Sequence, residues 1–136
     1  MHKKKVKELS RLNNLNNIEV KGKCDFEELK AECEKKTLIF CDIEGFEKEL
    51  LDPIKAPCLK KVDLIVESHD CFVPSITEEL VKRFSNSHRI RIVIDYLPRI
   101  KNYAFPRKIS KEQYNWIIDE RRVPFMKFIF MESLYG

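Results

Sequence analysis

Glycine is scarce in this chain: Gly22, Gly45 and Gly136 are the only three in 136 residues. A phosphate-cradling loop needs several glycines within one turn, so none is expected here. The five cysteines (Cys24, Cys33, Cys41, Cys58, Cys71) include no C-x-x-C pair. Cys41 and Cys71 lie in or beside apolar runs, where reduced cysteine behaves as a small hydrophobe. These features predict free thiols, no zinc knuckle and a cytoplasmic setting. No apolar run approaches the roughly 18 residues of a membrane span, and no signal-peptide pattern opens the sequence, so no membrane partner is expected. Repeats and low-complexity tracts are missing as well. The net charge of +4 sits largely in Lys3, Lys4, Lys5 and Lys7, which suits a solvated helix start and does not imply nucleic-acid binding.

What remains is an ordinary globular composition, 43% apolar and 35% charged. A domain of about 150 residues buries close to 70% of its unfolded surface, so residues 1–136 are expected to form one α/β domain with its own core.

The chain is organised around Thr37-Leu38-Ile39-Phe40-Cys41-Asp42-Ile43-Glu44-Gly45-Phe46-Glu47. An apolar run without polar alternation stops at two carboxylates and a glycine. It predicts a strand covered on both faces, with Asp42 and Glu44 at the carboxyl end, where open α/β sheets bind ligands.

Before it, Val6, Leu9, Leu12 and Leu15 predict an amphipathic helix from Lys5 to Leu15, ended by asparagines. Ile18 to Lys21 alternates like a half-exposed strand. Asp25 and Glu28 form a capping-box pattern for a helix over Phe26–Lys35. After the central strand come a short helix (Glu47–Leu51), a loop (Lys55–Leu59) and a second apolar strand (Val62–Glu67). A helix over Thr77–Phe84, capped by Ser75 or Thr77, precedes a third strand (Ile90–Ile94). Leu97 to Ile109, with Pro98 and Pro106, should be irregular. Ser110 caps a helix running through Trp116 to Arg121, and Phe125–Met131 is the last strand. Alternating helices and strands are the pattern of a wound α/β sheet.

Two apolar strands therefore end in Asp42-x-Glu44 and in Glu67-x-His69-Asp70. If they are parallel neighbours about 4.8 Å apart, five ionisable groups meet at one rim. Such a cluster needs a cation, a proton or a cationic substrate. Each residue also has a structural alternative: Asp42 could cap the next helix, Gly45 could simply make the turn, and His69 could satisfy a loop carbonyl. His88 is more simply a loop donor than a catalyst. Glu120 and Arg121 could form a surface ion pair or face substrate.

Leu38 to Glu47, followed by Leu50-Leu51, resembles the D-[IV]-E-G-x-E motif of FkbM-like methyltransferases, class I enzymes dependent on S-adenosylmethionine. Val66-Glu67-Ser68-His69-Asp70 is similar to the E-x-H-D that ends the next strand in some of them. Arg83-Phe84, Ser87-His88, Glu120-Arg121 and Met126-Lys127-Phe128 resemble weaker landmarks. The resemblance implies a Rossmann-like sheet, mostly parallel with an antiparallel final strand, and a methyl donor lying across the strand ends. It places Asp42 near the methionine end of the donor and the reacting group. Glu44, Glu67 and His69 would face a small-molecule or sugar-like acceptor, one of them as general base. Cys24 and Asp25 would border the adenine by position, with Asp70, Glu120 and Arg121 toward substrate. No resident metal is implied.

The chain departs from that family where the donor site begins. It shows no glycine-rich turn and no acidic strand end for the ribose, and its first residues match the helix after the second strand. The expectation is a partial domain, weak or silent toward the donor alone. The 38–42 strand would have an unpaired edge, open to a second copy or to a missing amino-terminal half. Two alternatives compete. One is a Mg²⁺- or Mn²⁺-dependent phosphoester hydrolase using Asp42, Glu44, Glu67 and Asp70, with His69 as ligand or base. The other is a binding module without chemistry.

Overall fold

The computed structural model describes residues 2–33, 37–95, 110, 112–113 and 126–135. Its elements are α1 (His2–Leu12), α2 (Phe26–Cys33), β1 (Leu38–Cys41), α3 (Glu47–Leu50), a 3₁₀ turn (Pro57–Lys61), β2 (Asp63–Ser68), α4 (Ile76–Phe84), β3 (His88–Asp95) and β4 (Met126–Ser133). The expected excursion over 97–109, the body of the helix after Ser110, Trp116, Glu120 and Arg121 lie outside the described residues. Ser110 itself makes the expected cap. Its Oγ accepts from Gln113 N at 3.1 Å, and Gln113 Oε1 accepts from Ser110 N at 2.9 Å, the reciprocal bonds of a capping box.

The four strands form one mixed sheet in the order β1-β2-β4-β3. β1 and β2 are parallel, with Cys41 opposite Val66. β4 runs antiparallel to both of its neighbours. The expectation of a mostly parallel sheet is corrected by this topology. β1, β2 and β3 all point the same way, but β4 separates β2 from β3, so two of the three ladders are antiparallel.

Alternation along the strands sends Cys41, Leu64, Val66, Ile129 and Met131 to one face. They are buried there with Leu29 and Cys33 of α2, Leu51, Leu59, and Ile76, Leu80 and Phe84 of α4. Each fully buried Leu, Ile or Phe contributes roughly 1.5–3 kcal/mol, so this face is the stable centre of the fold.

Three further expectations are revised. β1 is not covered on both faces: Leu38 and Phe40, which alternate to the face opposite Cys41, are exposed. Ile18–Lys21 is not a strand. Alternation makes a strand only where a neighbour supplies the ladder, and this segment is held instead by Lys21, whose Nζ meets Glu32 at 2.6 Å and Glu28 at 3.6 Å. Residues 57–61 make a 3₁₀ turn where a loop was expected, with Leu59 as its buried anchor. The first helix spans His2–Leu12, and Asn14, at φ 53°, takes the left-handed conformation expected of an asparagine exit.

Candidate functional site: a carboxylate–histidine rim

β1 leaves the core at Cys41, and the chain turns sharply to start α3. Glu44 (φ 56°) and Gly45 (φ 103°) both take left-handed backbone conformations there. A Cβ on Gly45 would lie 3.1 Å from Val73 Cγ2, so the position calls for glycine on both conformational and steric grounds. The turn folds Glu47, the first residue of α3, back beneath itself. Its Oε1 accepts from Gly45 N at 3.2 Å and, more weakly, from Ile43 N at 3.4 Å. The Glu47 side chain is fully buried, and its Oε2 has no partner among the described residues.

β2 delivers the other half. His69 directly follows it and is buried, with its Nδ1 2.5 Å from Glu47 Oε1. Oε1 already accepts from two backbone N–H groups, so Nδ1–H donates to it and Nε2 is the nitrogen presented to the rim. Phe72 stacks on the ring with a centroid distance of 5.6 Å and an interplanar angle of 8°. Nε2 lies 3.6 Å from both Asp42 Oδ1 and Glu44 Oε2. Asp42 and Glu44 reach solvent, whereas His69 does not. The parallel pairing of β1 and β2 thus brings Asp42, Glu44 and His69 together, one ligand atom from each lying within 4.8 Å of the others.

Other expected residues fall elsewhere. Glu67 is buried on β2 opposite Phe128, one position past the Cys41–Val66 pair. Asp70 accepts from Thr77 N at 2.9 Å, Thr77 Oγ1 at 2.7 Å and Lys127 Nζ at 2.8 Å. It caps α4 from outside, a task expected of Ser75 or Thr77; Ser75 occupies the cap position but makes no side-chain capping bond. Burial pushes the Asp70 carboxyl up, but the hydrogen bonds from Lys127 and Thr77 together outweigh it and hold the carboxyl below the usual range. His88 is structural, with Nε2 2.9 Å from the Val62 carbonyl and Nδ1 2.9 Å from Ser87 Oγ.

Cys24 and Asp25 line a cavity of about 670 Å³, with Gly22, Phe26, Ile43 and Phe46 among its walls. Ile43 stands between Asp42 and Glu44 in sequence, so the cavity adjoins the rim. Asp25 Oδ1 is engaged as the cap of α2, accepting from Glu28 N at 3.0 Å. Burial pushes the Cys41 thiol up to about 12, with Glu47 and Asp42 adding to the effect, so it stays protonated beneath the site.

Sequence reasoning missed Glu47 and Phe72 as parts of the site. Glu47 looks like a carboxylate favouring a helix start; the signal for its other role is its place two residues after the glycine of a tight turn.

Compared with family models, with curated proteins and with solved structures, the chain matches none of them.

Proposed function

We propose that this chain forms the acceptor side of a class I S-adenosylmethionine-dependent methyltransferase domain, acting on a hydroxyl or amine of a small, sugar-like molecule. The observation that carries the reading is the rim itself: two parallel strands in register, with Asp42, Glu44 and His69 converging at their carboxyl ends. An antiparallel last strand beside them agrees with the sheet that the resemblance implies.

His69 suits the general-base role. Glu47 fixes its tautomer through Nδ1, leaving Nε2 to take the acceptor's proton. Asp42 and Glu44, each 3.6 Å from Nε2, would stabilise the imidazolium that results and orient the acceptor. S-Adenosylmethionine, when bound, supplies the electrophilic methyl group.

The donor fits in part. The cavity beside Cys24, Asp25 and Phe26 offers an apolar slot next to the rim for an adenine ring. No described residue stands ready for the ribose or the amino-acid end, so affinity should be low until the outer edge of β1 is completed. Hydrolysis through Asp42, Glu44, Glu67 and Asp70 ranks below this reading, because Asp70 is engaged by Thr77 and Lys127.

Titrating the purified chain with S-adenosylmethionine under NMR observation tests the proposal. Backbone amides of residues 22–26 and 43–46 should shift without saturating below millimolar donor. Micromolar binding would overturn the partial-domain element, and no shift at any of these amides would overturn the methyltransferase reading.

A further inference from the structure

We infer that Asp42, Glu44 and His69 form a binding site for one divalent transition-metal ion, Mn²⁺ or Zn²⁺, backed by Glu47. The inference rests on the same rim as the proposed function but not on methyl transfer: an ion on Nε2 takes the lone pair that the general-base role would use, so the metal-bound state and that role exclude each other at His69.

Spacing is the first argument. His69 Nε2 is 3.6 Å from one oxygen of each carboxylate. That is too long for a hydrogen bond, which would draw the atoms to about 2.7–2.9 Å. Ligand atoms that share a metal at about 2.1 Å stand roughly 3.0–3.4 Å apart. The two His69 separations are within a few tenths of that, and the carboxylate oxygens, within 4.8 Å of each other, would close on the ion.

The second argument is independent of the two exposed carboxylates. The His69 side chain is only 4% exposed, and it directs Nε2 between them without making a hydrogen bond there among the described residues. Behind it, Glu47 is fully buried and holds Nδ1 at 2.5 Å. A carboxylate that fixes the far nitrogen of a histidine is the support a metal-binding imidazole requires. Glu47 Oε2 is left without a hydrogen-bond partner among the described residues.

Charge is the third. Asp42, Glu44 and Glu47 surround one imidazole, and among the described residues no lysine or arginine pairs with any of them. Lys127, the cation on the neighbouring strand end, is taken by Asp70 at 2.8 Å. Two carboxylate oxygens and one imidazole nitrogen suit Mn²⁺ or Zn²⁺ better than a softer or a purely oxygen-seeking ion. The solvent-facing positions would remain open to water or to an acceptor offering two neighbouring oxygens.

The test uses the metals alone. Metal-free chain is titrated with MnCl₂, following loss of the free-ion electron paramagnetic resonance signal, and with ZnCl₂ by calorimetry. One equivalent should bind in the micromolar range, and Mn²⁺ should broaden the NMR signals of Asp42, Glu44 and His69 before others. Glu44→Gln, at a side chain 73% exposed, and Asp42→Asn should each weaken binding by about tenfold or more while circular dichroism stays unchanged. Absence of saturable binding at millimolar Mn²⁺ and Zn²⁺, or binding that both variants leave untouched, overturns the site. Either result leaves the donor titration free to decide the methyltransferase reading on its own.

Discussion

Gly45 decides whether the rim can exist. Its φ of 103° and the 3.1 Å approach to Val73 set the turn that folds Glu47 under His69. Alanine there meets both penalties, and a residue forced into such a conformation costs about 1–3 kcal/mol. Gly45→Ala should therefore lower the free energy of unfolding by that amount, read as a lower urea midpoint at unchanged slope, and should disturb the His69 ring signals. A loss within error of zero would remove the claim that the turn is strained. Asp42, Glu44 and His69 could be found from sequence because strand ends are where an α/β sheet gathers its polar groups. Glu47 closes the D-[IV]-E-G-x-E motif and follows the turn glycine by two residues, but a glutamate opening a helix is ordinarily solvent-facing, and its role behind His69 shows only in its complete burial.

At the scale of elements, Asp70 joins two of them, capping α4 through Thr77 and reaching β4 through Lys127. The resemblance placed it toward substrate; its hydrogen bonds tie helix to sheet. The folded carboxyl titrates below its unfolded value of about 3.9. The stabilisation is thus complete above that value and disappears as the pH falls through the lower, folded one. Asp70→Asn should cost about 1–3 kcal/mol near neutrality. It should also flatten the acid limb of stability below about pH 4, seen in parallel urea titrations of both proteins. An unchanged acid limb would assign the acid sensitivity to other carboxylates. The parallel pairing of β1 with β2 was legible from two matched apolar runs, each ending in acid groups. The failure of Ile18–Lys21 to form a strand was not, because pairing depends on a partner edge that local alternation does not report.

Across the whole molecule, the described elements pack against one face of the sheet. Ile39, Cys41, Leu64 and Val66 pack toward α2, α3 and α4, whereas Leu38 and Phe40, on the opposite side of β1, are 58% and 62% exposed. The same strand carries an outer edge with no partner among the described residues. An apolar face beside unpaired backbone groups is a template for another strand, so the isolated chain should associate with a second copy through β1. Phe40→Lys puts a charge on that open face while leaving Ile39 and Cys41 in place on the core side. Sedimentation velocity over a range of concentrations should show reversible association of the parent chain, shifted to monomer by Phe40→Lys. A parent chain that stays monomeric throughout would mean that β1 is protected, and the partial-domain reading would lose its main structural consequence.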